Sequence, residues 1–289
     1  DKPWLISEEW RAHHERHLHA LGRATAKVIF LGDSITEGWS VAPAYRENFG
    51  KYAPLNFGIA NDMTQNVLWR VEHGALDGTH PQAVVLMVGI NNLAGGFTPE
   101  QTADGVRAIV NAIQAHVPTT RVLLLGVLPA RQDSANPLRQ SIKDANRLLQ
   151  SVSKPGKVEL HDLGSVMLEA DGSISKTMMR DFLHPTAEGF ERLSQAMAPF
   201  LATLVDAPNL SPRSRRRLAA AAGAGGAGGA ASGGFFAGAA ATAAGAARFA
   251  GATGLTAGAR AGIGAAAGGG SGKALTSFGE TGGTLMSEA

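Results

Sequence analysis

Ser34, Asp181 and His184 stand far apart in the chain, yet together they have the makings of a nucleophilic relay. Ser34 lies in Gly32-Asp33-Ser34-Ile-Thr-Glu-Gly38, where an apolar run turns into a helical pattern. A helix amino terminus concentrates free N–H groups and positive dipole, which favours an anion developing beside such a hydroxyl. A serine there equally suits the ordinary N-cap role. Asp181-Phe-Leu-His184-Pro185-Thr186 supplies what a serine nucleophile lacks: an imidazole to take its proton and a carboxylate to fix the tautomer. Asp at i and His at i+3 can lie side by side on one turn, although Asp181 and Thr186 also read as helix-start residues. Asn91 and Asn92 carry amides able to donate to an oxyanion, and asparagine forms plain turns just as readily.

Short apolar runs alternate with helical patterns up to about residue 205, which predicts an α/β domain with a mostly parallel, five-stranded sheet. Strands are expected at 27–31, 55–58, 82–88 and 121–128, with 158–160 at an edge. Helices are expected from Ser7, and over 62–73, 98–116, 137–151 and 186–205. Each crossover is long enough for a right-handed βαβ connection. Open sheets of this kind bind ligands beyond the carboxyl ends of their strands. Gly32-Asp33-Ser34, Ile59-Ala-Asn61-Asp62 and Gly89-Ile-Asn91-Asn92 follow the first three strands, so the three polar clusters should meet at one sheet edge.

Composition divides the chain. Leu218 to Ala289 holds 21 of the 37 glycines, is otherwise mostly alanine, and has five charged residues. It offers little large apolar surface to offset backbone entropy, so the expected organisation is a domain over 1–207 and a low-complexity, unfolded tail over 208–289. Residues 1–207 carry 19 Lys and Arg against 22 Asp and Glu, a net of −3. That balance argues against nucleic acid as a partner, and the basic Arg213-Ser-Arg-Arg-Arg217 reads as a solvated linker. With no cysteine, thiol nucleophiles, disulfides and zinc thiolates are excluded. No run of about 20 strongly apolar residues suggests a membrane span. The start at Asp1 fits either a processed mature protein or a trimmed chain, and only processing would imply a secreted or periplasmic location. Oligomeric state is not readable.

Taken in order and spacing, Gly32-Asp33-Ser34, Asn61-Asp62, Gly89-Ile90-Asn91-Asn92 and Asp181-Phe-Leu-His184-Pro185 resemble the four sequence blocks of the SGNH (GDSL-type) hydrolases. Leu55-Asn-Phe-Gly-Ile-Ala-Asn-Asp62, Thr64-Gln-Asn-Val-Leu-Trp-Arg70 and Asn136-Pro-Leu-Arg-Gln140 are similar to the branch holding the platelet-activating-factor acetylhydrolase catalytic subunits and related bacterial acetylesterases. The likeness covers about residues 25–205. It implies a flavodoxin-like α/β/α sandwich and a metal-free, cofactor-free ester hydrolase. Ser34 would be the nucleophile, His184 the general base and Asp181 its orienting carboxylate. The oxyanion hole would combine the Ser34 N–H, the N–H of residue 61 and the Asn91 side chain.

One position departs from the pattern: the family has glycine before the aspartate of its second block, where this chain has Asn61. A backbone donor survives the change, and asparagine tolerates positive φ better than other non-glycine residues. The expectation is therefore an intact hole with a preference for small acyl groups. The resemblance also admits a substrate-facing role for Arg70, although Trp69 and Arg70 read first as packing beside the site. His13, His14, His17 and His19 include an i, i+4 pair but no metalloprotease-type pattern, and are expected on a solvated helix face.

The expected function is a serine esterase cleaving acetyl or other short acyl esters, of carbohydrates or small molecules, through an acyl-enzyme. Lipid esters or thioesters are the alternatives within the same chemistry. A non-catalytic binding protein on the same fold is the alternative from another class.

Overall fold

The computed structural model describes residues 7–21 and 25–206, and the expectations for 208–289 lie outside the described residues. Five strands, β1 (Val28–Gly32), β2 (Leu55–Gly58), β3 (Ala83–Met87), β4 (Arg121–Leu125) and β5 (Val158–His161), form one sheet in the order β2-β1-β3-β4-β5. Every pairing is parallel. This is the flavodoxin-like order, whose direction of winding reverses between β1 and β3. The helices are α1 (Glu8–Leu21), α2 (Ser34–Trp39), α3 (Pro43–Phe49), α4 (Thr64–Glu72), α5 (Ile90–Ala94), α6 (Pro99–His116), α7 (Pro137–Leu149) and α8 (Ala187–Asp206).

Strand periodicity divides the core in two. Val28 and Phe30 of β1, Val85 and Met87 of β3, and Leu123 and Leu125 of β4 point to one face, where α2, α3 and α8 cover them with Trp39, Phe49, Leu193 and Met197. Ile29, Leu31, Val84, Leu86, Val122 and Leu124 point to the other, beneath Val67 and Val71 of α4 and Ile109 and Ile113 of α6. Strands buried on both faces explain why β1 and β3 lack polar alternation in sequence. No helix among the described residues is long and apolar enough to cross a membrane.

Local chemistry sets the element ends. Ser7 Oγ accepts the Trp10 N–H at the start of α1, and Thr98 with Gln101 forms a reciprocal capping box before α6. The fourth strand stops at Leu125 rather than running to Leu128, because the Asn146 amide bonds both the N–H and the carbonyl of Val127. Two short helices, α3 and α5, stand where the sequence pattern shows only connections. At Gly32 a Cβ would lie 2.2 Å from the Met87 carbonyl oxygen, so only glycine lets the end of β1 pass this close to β3.

Candidate active site

The carboxyl ends of β1, β2 and β3 bring the first three polar clusters to one edge, as the strand order requires. Ser34 is the first residue of α2. The cap itself is Asp33, whose carboxylate accepts the Ile35 N–H at 3.0 Å, so the N-cap reading of Ser34 does not hold. That leaves the Ser34 hydroxyl free for a distant partner, His184 Nε2, at 2.9 Å. Asp33 is buried, and desolvation pushes its carboxyl up to about 7 against the Ile35 hydrogen bond, with nearby Asp62 adding to the rise.

His184 Nδ1 lies 2.7 Å from Asp181 Oδ2, while Asp181 Oδ1 accepts the backbone N–H groups of His184 and Leu183 at 2.8 and 3.1 Å. Partial desolvation raises the Asp181 carboxyl, but the hydrogen bonds from the His184 ring and backbone outweigh it and bring it down to about 2. The helix-start reading of this segment holds only for Thr186, whose hydroxyl accepts the Gly189 N–H. A chain of bonds carries the turn: Arg139 donates to the carbonyls of Arg131 and Gly172, and the Arg131 N–H donates to the Phe182 carbonyl at 2.7 Å. Phe182 is thereby held at a φ of 61° between Asp181 and His184.

Asn61 adopts a φ of 65°, the left-handed conformation that asparagine tolerates better than other non-glycine residues. Between residues 59 and 64, every other N–H donates within the protein: Ile59 to Gly32, Ala60 to Glu37, Asp62 to Ile59, Met63 to Asn66 and Thr64 to Asn92. The Asn61 N–H has no acceptor among the described residues. Asn91 lies in α5, half-buried, and spends one amide hydrogen on the Asp62 carbonyl at 2.9 Å, leaving the second available. Asn92 is different. It is buried and fully engaged with Thr64 and Gln65, fastening the start of α4.

Sequence reasoning missed the buried group beneath this loop. Asp62 Oδ2 accepts from Arg70 Nη2 at 2.6 Å, and Asp62 Oδ1 accepts from Trp10 Nε1 at 2.6 Å. Arg70 also donates to the carbonyls of Phe57 and Gly32, at the ends of β2 and β1, and is fully buried. It cannot face substrate. The signal was present in the spacing: Arg70 shares the inward face of α4 with Val67, and a buried arginine demands a carboxylate.

The histidines of α1 also correct an expectation. His14 and His17 are buried: His14 Nε2 meets the His73 carbonyl at 3.0 Å, and the His17 ring stacks on Phe57 at 4.5 Å. A histidine-rich face therefore packs inward, because α1 covers β2 and α4 with rings rather than aliphatic side chains. Burial, aided by the Arg70 charge, lowers His17 to about 3. No group of three or more His, Cys, Asp or Glu suited to a metal ion occurs among the described residues.

Beside Asn61, a cleft of about 490 Å³ opens between α1 and the loop after β2, lined by Glu9, His13, Arg16, Glu37, Met63 and Asn66 among others. An aligned hydroxyl, imidazole and carboxylate is equipped for nucleophilic attack on an acyl carbon.

Known proteins place this geometry in context. The sequence profile of the GDSL-like lipase/acylhydrolase family matches residues 30–192. Platelet-activating factor acetylhydrolase IB subunit alpha2 of Rattus norvegicus is 34% identical over 200 residues, covering 69% of this chain and 86% of its own. Subunit alpha1 of Homo sapiens is 35% identical over 211 residues, covering 70% and 90%. Among solved structures, a GDSL-like lipase from Bacteroides thetaiotaomicron superposes with a TM-score of 0.54 at 22% identity, covering 64% of this chain and 94% of that one.

Proposed function

Because this chain belongs to the GDSL-like lipase/acylhydrolase family and is thus a carboxylic ester hydrolase, we propose that it removes acetyl and other short acyl groups by way of a Ser34 acyl-enzyme. The observation that carries the reading is the continuous relay from Asp181 through His184 to Ser34, with links of 2.7 and 2.9 Å.

In the first half-reaction His184 Nε2 takes the Ser34 proton as Oγ bonds to the acyl carbon, and Asp181 holds the other ring nitrogen and stabilises the imidazolium. Negative charge gathers on the former carbonyl oxygen. The donors for it are the Ser34 N–H at the start of α2, the Asn61 N–H and the second hydrogen of the Asn91 amide. Collapse of the tetrahedral species breaks the bond to the alcohol oxygen, which leaves with the proton from His184. Water then repeats the sequence against the acyl-enzyme, releasing the acid and restoring Ser34. These steps need no cofactor.

Two features bear on the substrate. On this reading the Asn61 side chain, where the resemblance calls for glycine, would narrow the space for the acyl group and favour short chains, in keeping with the acetylhydrolase relatives. The cleft beside Asn61, lined by Glu9, His13, Arg16 and Glu37, would suit a polar alcohol such as a sugar. A lipid alcohol is the second reading, favoured by the relatives that act on platelet-activating factor and by Val41, exposed beside Pro43 and Phe190.

The test is hydrolysis of p-nitrophenyl esters from acetate to palmitate by the wild type and Ser34→Ala. Acetate should turn over fastest and the variant should be inactive; equal rates would overturn the reading. Parallel assays on an acetylated xylose and an acetylated glycerophospholipid then decide between the two alcohols.

A further inference from the structure

Asn61 sits between two pinned neighbours. Before it, the Ala60 N–H donates to Glu37 Oε2 at 2.8 Å, and the other oxygen of Glu37 lies 3.8 Å from His13 Nε2 of α1. After it, Asp62 receives the Trp10 indole N–H of α1 at 2.6 Å and Arg70 at 2.6 Å. The Asp62 carbonyl in turn accepts from Asn91. Asn61 itself, at a φ of 65° and exposed, makes no bond among the described residues that would hold its peptide in place. Its orientation is therefore set by the residues on either side, and both are reached from α1.

We propose that Trp10 is a positioning residue: through Asp62, the N-terminal helix fixes the peptide of Asn61 and the amide of Asn91 at the orientation in which they receive the oxyanion. This rests on the esterase reading above. Trp10 bonds none of Ser34, His184 and Asp181, and acts through Asp62 alone. Asp62 has no exposed surface, so when the indole N–H is lost, solvent does not simply replace it at Oδ1. The carboxylate must turn or admit water, and Asn61 and Asn91 move with it. Misaligned donors weaken the transition state and leave ground-state binding as it was.

The indole also packs on Trp69 at 5.4 Å and is buried, so a purely structural role predicts a different outcome. Trp10→Phe keeps an aromatic ring and removes the N–H. The assay is p-nitrophenyl acetate hydrolysis, with thermal unfolding and the inhibition constant of a short-chain alkylboronic acid, which mimics the tetrahedral species. The expected result is a kcat about tenfold lower, KM within twofold, and a boronic acid inhibition constant raised by the same factor as kcat falls. Unchanged kcat with a lower Tm would overturn the proposal and leave Trp10 as packing. A raised KM at full kcat would also overturn it and put α1 in substrate binding. Should Trp10→Phe fail to fold, Trp10→Leu, which also removes the indole N–H and adds no polar group, should show the same split, and full kcat there would be equally decisive against it. Ser34→Ala keeps the two questions apart: if it is as active as the wild type, the esterase reading fails; if it is inactive while Trp10→Phe retains full kcat, only the positioning role fails.

Discussion

The Asp181 carboxylate holds its catalytic-type partner within one turn of chain, 2.7 Å from His184 Nδ1 and bonded also to the His184 backbone N–H. The third member, Ser34, comes from 150 residues away. The carboxylate and imidazole thus form a unit set by local geometry, and only the hydroxyl depends on the sheet to reach it. Orientation of the ring is decided by Asp181 before substrate arrives. Asp181→Asn should keep the turn, since an amide oxygen still accepts the two backbone N–H groups, yet lose the correct tautomer. The expected fall in kcat on p-nitrophenyl acetate is about 10⁴-fold with an unchanged Tm.

Asn91 and Asn92 are neighbours with opposite expected phenotypes. Asn91→Ala removes an available donor and should lower kcat by about 10²–10³ with little loss of stability. Asn92→Ala strips the Thr64 N–H of its acceptor and should cost about 1–3 kcal/mol in urea unfolding. Steady-state kinetics beside denaturation curves for the two variants check the contrast.

Asn61→Gly should leave acetate hydrolysis near the wild-type rate and raise the butyrate and hexanoate rates several-fold, because glycine accepts a φ of 65° and vacates the acyl side. Asn61→Val should lower every rate, since a β-branched residue resists that conformation. A chain-length series on both variants measures this.

Acid should loosen α1. His17 is held at about 3 in the folded protein against 6.5 as the ordinary value, so between those limits the unfolded chain binds a proton that the folded one refuses. Stability therefore falls as pH drops from 6.5 toward 3, by at most about 1.4 kcal/mol per pH unit. His17→Phe, which can keep the ring stack on Phe57, should flatten that part of a Tm-against-pH curve.

Asp33 works in the opposite direction. Its folded value of about 7 lies above the ordinary 3.8, so the folded state holds the extra proton and stability falls as pH rises from about 4 to about 7. Asp33→Asn preserves an acceptor for the Ile35 N–H and carries no charge. It should gain stability relative to wild type at pH 8 and little at pH 4, as urea midpoints at the two values would show.

Much of this site was legible in sequence because strand ends and short motifs are local. Gly32-Asp33-Ser34 and Asp181 to His184 each announce their chemistry, and five apolar runs at crossover spacing dictate that the polar clusters share an edge. What escaped was of another kind. Ser34 was ambiguous as a cap because its neighbour Asp33 could take that role only once the turn geometry was known. The histidines of α1 looked solvated because their burial depends on Phe57 and His73, distant in sequence. Arg70 reads in sequence first as packing, which its burial bears out, but its partners Asp62, Gly32 and Phe57 meet only in three dimensions.

The openness of the relay carries a further consequence. The His184 and Asp181 side chains are 39% and 52% exposed, so on the esterase reading the imidazole that serves a Ser34 acyl-enzyme is itself in reach of bulk solvent. A small alcohol dissolved at molar concentration would then compete with water for the ester carbon. On the proposed mechanism, the acyl group would then partition between the acid and a new ester whenever the medium supplies an alcohol acceptor.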